Sequence, residues 1–284
     1  MLLLATLLAL VAGMHPAADF RQADSTRPTT TLLTSRIVEG VRVSSVTFAF
    51  RGKPVRALLV EPKRASANAP GVLFAHWLGD PQTTNRTEFR ADAIWLAKCG
   101  IVSLLPDEPW AAANWFERVR STRTDAADSL AAVARLRRSL DVLVGTGQVD
   151  PARLAFVGHD FGAMYGALFA AVDTRPRAVV FMTPTVTLRE WFLLDTRRPP
   201  IDRIAYERTM RAFDVPPYLA KARFRASLIQ IARYDEYVSA ANAALFANAV
   251  PNRNRTVCTY DVGHSLAIGA ATSDRRSWLA DQLR

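Results

Sequence analysis

The chain has 284 residues, half of them hydrophobic, enough to bury one sizeable core or a core with a small cap; no segment is biased enough to be disordered or repetitive. The formal net charge is +10, nearly all of it arginine, but the basic residues are scattered outside local clusters at 118–123 and 135–138. Without an aromatic-interleaved stripe or a nucleic-acid module, this charge reads as a solvated surface; nucleic-acid and membrane-surface roles resting on charge alone are set aside.

The first residues, MLLLATLLALVAGMHPAAD, hold an apolar run from Leu2 to Met14. It is too short to span a bilayer, which takes about 20 residues. It suits the core of a signal peptide over residues 1–18, with cleavage after Val11-Ala12-Gly13 or Pro16-Ala17-Ala18. No Lys or Arg precedes Arg21, so an uncleaved anchor or a misassigned start stays open beside export, secreted or periplasmic. After cleavage no stable membrane insertion is expected. The folded domain is expected over 36–284.

Residues 43–50 and 55–61 mix β-branched and apolar residues around Arg51-Gly52-Lys53-Pro54, the pattern of a hairpin. Residues 71–77 and 101–105 are continuous apolar runs, as strands buried on both faces would be. Between them, residues 88–99 have helical spacing, stopped by Gly100, and residues 124–143 form a long amphipathic pattern. Further strands are expected at 178–182, 227–231 and 256–260, with helices at 240–250 and 274–283. Alternating strands and helices imply a mostly parallel central sheet with helices on both faces. Residues 184–225 break the rhythm without a strand signal and read as a cap over a site. Cys99 and Cys258 lack zinc spacing and read as buried free thiols, a disulfide being the alternative in an exported chain.

The informative stretch is RLAFVGHDFGAMYG, residues 153–166. An apolar strand runs into Gly158-His159-Asp160-Phe161-Gly162, and a small-residue helix follows. This has the form of a nucleophile elbow, with aspartate at the position of the usual serine. The turn needs small residues so that strand and helix backbones can approach, and it pushes the central side chain out at the sheet's carboxyl edge.

On these residues, together with Phe74-Ala75-His76-Trp77-Leu78-Gly79, Asp235 after the strand at 227–231, and His264 in Tyr260-Asp261-Val262-Gly263-His264-Ser265, the chain resembles the α/β-hydrolases, most of all the dienelactone-hydrolase-like branch. The resemblance implies an α/β-hydrolase fold and a catalytic triad of Asp160, His264 and Asp235, in the family's order. It makes His264 the base, as the only histidine downstream of Asp235, and Asp235 the group that orients its imidazole, with Glu236 pointing away. It places an oxyanion hole at the backbone N–H groups of Phe161 and Trp77, with Trp77 standing where the family often has glycine. His76, Trp191, Tyr206 and Tyr218 are the remaining candidates for pocket walls.

Aspartate alters the chemistry. A carboxylate can displace a leaving group from saturated carbon or open an epoxide, giving an alkyl ester that His264 and water would hydrolyse. Attack on an ester carbonyl would give a mixed anhydride. Three alternatives stay open: an ester or lactone hydrolase with an atypical elbow, a scaffold that has lost its serine, and a non-catalytic binder of a small ligand. The partner expected is a small molecule. With no dinucleotide fingerprint, phosphate loop or metal spacing, no cofactor or metal is expected.

Overall fold

The computed structural model describes residues 20, 28–64, 67–79, 85–194, 197, 199–251 and 254–284. The segment read as a signal peptide lies outside the described residues. Among the described residues no helix is long and apolar enough to cross a membrane.

Nine strands form one sheet: β1 (Thr30–Val38), β2 (Val41–Phe50), β3 (Lys53–Pro62), β4 (Ala69–Ala75), β5 (Val102–Pro106), β6 (Val149–His159), β7 (Pro176–Met182), β8 (Ala226–Ala232) and β9 (Arg255–Tyr260). Their order is β1-β2-β3-β5-β4-β6-β7-β8-β9. The pairings β1/β2, β2/β3 and β3/β5 are antiparallel, and every pairing from β5 to β9 is parallel. The β2–β3 turn falls on Arg51 and Gly52, both with positive φ (49° and 74°), the backbone that matches the twist of a tight hairpin.

The continuous apolar runs are buried on both faces, and their side chains alternate between two cores. Leu73, Ala75, Leu154 and Phe156 point into one core, and Val72, Phe74, Ala155 and Val157 into the other. On the first face lie α2 (Thr122–Gly145), α3 (Phe161–Val172) and α7 (Ala240–Ala249). On the second lie α1 (Arg90–Lys98) and α8 (Gly269–Gln282), joined where Arg275 donates to Asp92 of α1 (Nε–Oδ2 2.9 Å) and to Gln230 of β8 (3.0 Å).

The sheet begins at Thr30, six residues before the expected domain start. β1 is exposed along almost its whole length, so no buried apolar face marks it in the sequence, and a bulge between Leu32 and Thr34 breaks the regularity of this edge. The segment 184–225 carries three short helices, α4 (Leu188–Phe192), α5 (Arg203–Met210) and α6 (Pro216–Leu219). Cys99 and Cys258 are free thiols, but Cys99 is exposed and Cys258 half-buried; both lie where the sheet or helix meets the surface rather than in the core.

Candidate functional site

β4 lies between β5 and β6, so the chain leaves the centre of the sheet in opposite directions and opens a crevice at the strands' carboxyl ends. Four loops meet there, those after β4, β6, β8 and β9. The loop after β6 is the elbow. Asp160 adopts φ 55° and ψ −116°, a left-handed backbone unusual for a residue with a side chain. Its N–H donates to Met182 O (3.0 Å), and its carbonyl accepts from Met164 N (3.0 Å) in the first turn of α3. The flanking glycines are required by contact: a Cβ on Gly158 would collide with the backbone of Gly162, and one on Gly162 with the carbonyls of Ala75 and His76.

The close approach at Gly162 lays the β4 loop over Asp160. Leu78 N–H donates to Asp160 Oδ2 at 2.9 Å, and the Phe161 N–H lies close enough to favour the ionised carboxylate. Oδ1 has no hydrogen-bond partner among the described residues. Asp160 is 1% exposed. Burial pushes its pKa up to about 7, against the pull of His264 and the Leu78 N–H.

His264 is held on three sides. Its Nδ1 lies 3.0 and 2.9 Å from the two oxygens of Asp235, so Nδ1 carries a proton aimed at that carboxylate. Nε2 is buried without a hydrogen-bond partner among the described residues. Asp235 also accepts the N–H groups of Tyr237 (2.9 Å) and Val238 (2.8 Å). Burial raises the Asp235 pKa, but the bond to His264, the His264 charge and these N–H groups outweigh it and hold the carboxyl below its ordinary range.

Several expectations need correction. Trp77 N–H does not face Asp160; it donates to Glu88 Oε2 at 2.8 Å, and the oxyanion-facing donor is the next residue, Leu78. Glu236 does not point away, because its Oε2 accepts the His264 N–H at 3.1 Å. His76 is buried beneath the loop, its Nδ1 on Trp77 O (2.8 Å) and its Nε2 accepting Glu108 N–H (3.0 Å), and it is not among the residues lining the cavity at Asp160. Tyr206 is fully buried, donating to Asp125 Oδ2 at 2.8 Å under the clustered guanidiniums of Arg118 and Arg120. Tyr218 donates to Ala212 O at 2.6 Å and packs on Phe20. Neither tyrosine reaches the site, because the second half of the cap segment packs onto α2 and α3 instead of over the crevice.

A cavity of about 490 Å³ opens on Asp160 and His264. Its apolar walls are Trp77, Leu78, Phe116, Trp191 and Leu194, and Tyr237 and Arg197 stand with them. Trp191 is the expected wall the structure brings in; its ring centroid is 5.4 Å from that of His264. The Phe161 ring packs into the core against Trp115 and Trp191. Sequence reasoning missed Phe116, Tyr237, Leu194 and Arg197. Tyr237 had a signal, an aromatic two residues after Asp235; the others had none.

No protein-family model matches the chain, and no curated protein does. Its backbone is similar to that of the acetyl xylan esterase from Paenibacillus sp. R4 (16% identity, 91% of this chain and 89% of that one, TM-score 0.72). It is also similar to acetyl xylan esterase 1 from Thermoanaerobacterium sp. JW/SL YS485 (16%, 93% and 91%, 0.69) and the S-formylglutathione hydrolase from Agrobacterium tumefaciens (17%, 89% and 99%, 0.67). Over nearly the whole chain, the architecture is the α/β-hydrolase fold.

Proposed function

We propose that the protein is a hydrolase in which Asp160 is the nucleophile, His264 the base and Asp235 the group that orients it. The substrate is a small organic molecule with a leaving group on saturated carbon, an alkyl halide or an epoxide. The observation that carries this reading is the division of labour on one carboxylate: Oδ2 is engaged by the Leu78 N–H, while Oδ1 is unpaired beside the cavity. Oδ1 forms a bond to the substrate carbon, and the bond to the leaving group breaks with its electron pair, leaving as halide or, from an epoxide, as an alkoxide that takes its proton from water. His264 Nε2 then takes a proton from water, which adds to the Asp160 carboxyl carbon. The negative charge gathers on Oδ2, where the Leu78 N–H already waits, with the Phe161 N–H beside the carboxyl. Collapse breaks the bond to Oδ1 and releases the alcohol, protonated from His264.

The experiment is a single turnover in water labelled with oxygen-18, followed by mass analysis of the peptide holding Asp160. One heavy oxygen in Asp160 and none in the alcohol is expected. Label in the alcohol alone would make Asp160 a general base and overturn the nucleophile.

A second reading is an ester or lactone hydrolase scaffold with a replaced serine, on the dienelactone-hydrolase-like side. The fold shared with proteins named as esterases favours it. Against it, Asp160 Oδ2 occupies the donor that a substrate carbonyl would need. Asp160→Ser separates the two: hydrolysis of a short-chain activated ester by the variant, with a wild type inert on haloalkanes and epoxides, selects the second.

A further inference from the structure

Glu88, just before α1, stands where three of the site's loops meet. Its Oε2 accepts the Trp77 N–H at 2.8 Å, and its Oε1 meets His159 Nδ1 at 2.7 Å. The other ring nitrogen of His159, Nε2, lies 3.1 Å from the His264 carbonyl. Both nitrogens therefore face oxygen acceptors. The Trp77 indole stacks on one side of His159, at 5.2 Å and 16° between planes, and the His264 ring lies at 5.6 Å and 28°. His159 is wholly buried, and the Glu88 side chain is 15% exposed.

These contacts fix positions the reaction depends on. Trp77 and Leu78 present consecutive amides; Glu88 holds the first, which turns the second toward Asp160. The backbone of His264 is gripped at its N–H by Glu236 and at its carbonyl by His159, so the ring cannot drift from the elbow. Burying a carboxylate against an imidazole contributes little net stability compared with apolar side chains of the same volume, so its use here fits geometry better than stability.

We propose that Glu88 and His159 are positioning residues that lock the Leu78 donor, the Asp160 elbow and the His264 base into one register. Its chemistry rests on the Asp160 reading above, but the clamp itself can be tested without it.

The variants are Glu88→Ala, Glu88→Gln and His159→Ala, each assayed per folded molecule. Glu88→Ala should lower kcat by about 100-fold, in alkylation and hydrolysis alike, with KM little changed, since small misplacements cost that much. In Glu88→Gln the amide oxygen can still accept the Trp77 N–H while its NH2 donates to the Nδ1 of a His159 ring that keeps its proton on Nε2 toward the His264 carbonyl, so activity should recover to within about tenfold of wild type, losing the charge-assisted bond. His159→Ala should slow hydrolysis alone, so the alkylated enzyme accumulates. Unchanged kcat in Glu88→Ala, or no rescue by glutamine, overturns the proposal. In an Asp160→Ser background acting on an activated ester, the same loss and rescue must recur. Nitrogen-15 spectra of histidine-labelled wild type must show a proton on His159 Nδ1, the nitrogen that faces Glu88; a bare Nδ1 overturns the clamp even if every variant fails to fold. A wild type inert on haloalkanes and epoxides but with that spectrum intact sinks the Asp160 reading and leaves the clamp standing.

Discussion

Leu78 and Asp160, 82 residues apart in the chain, are joined by a 2.9 Å hydrogen bond from the Leu78 N–H to Asp160 Oδ2. The bond fixes which carboxylate oxygen faces the pocket. It also sets a limit on the chemistry, because an oxyanion donor already engaged by the nucleophile's own oxygen serves an ester of Asp160 better than an ester of the substrate.

Burial holds the Asp160 pKa near 7, so alkylation should follow the ionised carboxylate. Its single-turnover rate should rise about tenfold per pH unit below that value and level off above it. A rate independent of pH between 5 and 8 would count against Asp160 as the attacking group.

The same shift has a stability consequence of definite sign. A carboxyl whose folded pKa is raised from 3.8 to about 7 favours the fold below pH 4 and loses that contribution as pH rises through 7. Asp160→Asn, which cannot ionise, should match wild type near pH 4 and exceed it at pH 8 by up to about 4 kcal/mol. Urea melts at the two pH values measure the difference, and equal stability at pH 8 contradicts it.

Asp235→Asn keeps the shape beside His264 but favours the wrong tautomer. Turnover should drop by about 10³- to 10⁴-fold, with KM little affected. The lost step is hydrolysis, so quenched samples should hold alkylated Asp160.

Tyr206→Phe tests the cap. The hydroxyl serves Asp125, not the cavity. Its loss leaves a buried carboxylate one bond short, at a cost of about 1–3 kcal/mol in denaturant melts, while kcat and KM stay at wild-type values. A large fall in epoxide turnover by the folded variant would return Tyr206 to the active site.

Gly162→Ala puts a methyl group against the carbonyls of Ala75 and His76. It should cost on the order of 4 kcal/mol or leave the chain unfolded, because backbone atoms on both sides cannot yield. A soluble variant melting within 1–2 °C of wild type would mean that the elbow is looser than its geometry.

The central strands were legible because strands buried on both faces write continuous apolar runs, as in residues 71–75 and 154–158. The elbow was legible because backbone contact demands glycine at 158 and 162. β1 was not, since an exposed edge strand needs no apolar face and its turn is Glu39-Gly40, a weaker signal than Asn-Gly. The choice of Leu78 over Trp77 was hidden for another reason: an acceptor at Glu88 sets the rotation of that loop, and no local pattern announces it. The cap tyrosines misled because a buried phenol and a pocket phenol look alike in sequence. What separates them is Asp125, 81 residues away from Tyr206.

Three of the bonds that assemble the site join distant parts of the chain: 71 residues between Glu88 and His159, 82 between Leu78 and Asp160, 105 between His159 and His264. Such closures carry the largest loop entropy and form late in folding. A nascent chain that has emerged only through β8 can pair most of the sheet and turn the elbow, yet it lacks the base. In the proposed mechanism, competence to react with water therefore arrives only with the segment after β9, and the second core closes later still, when α8 packs.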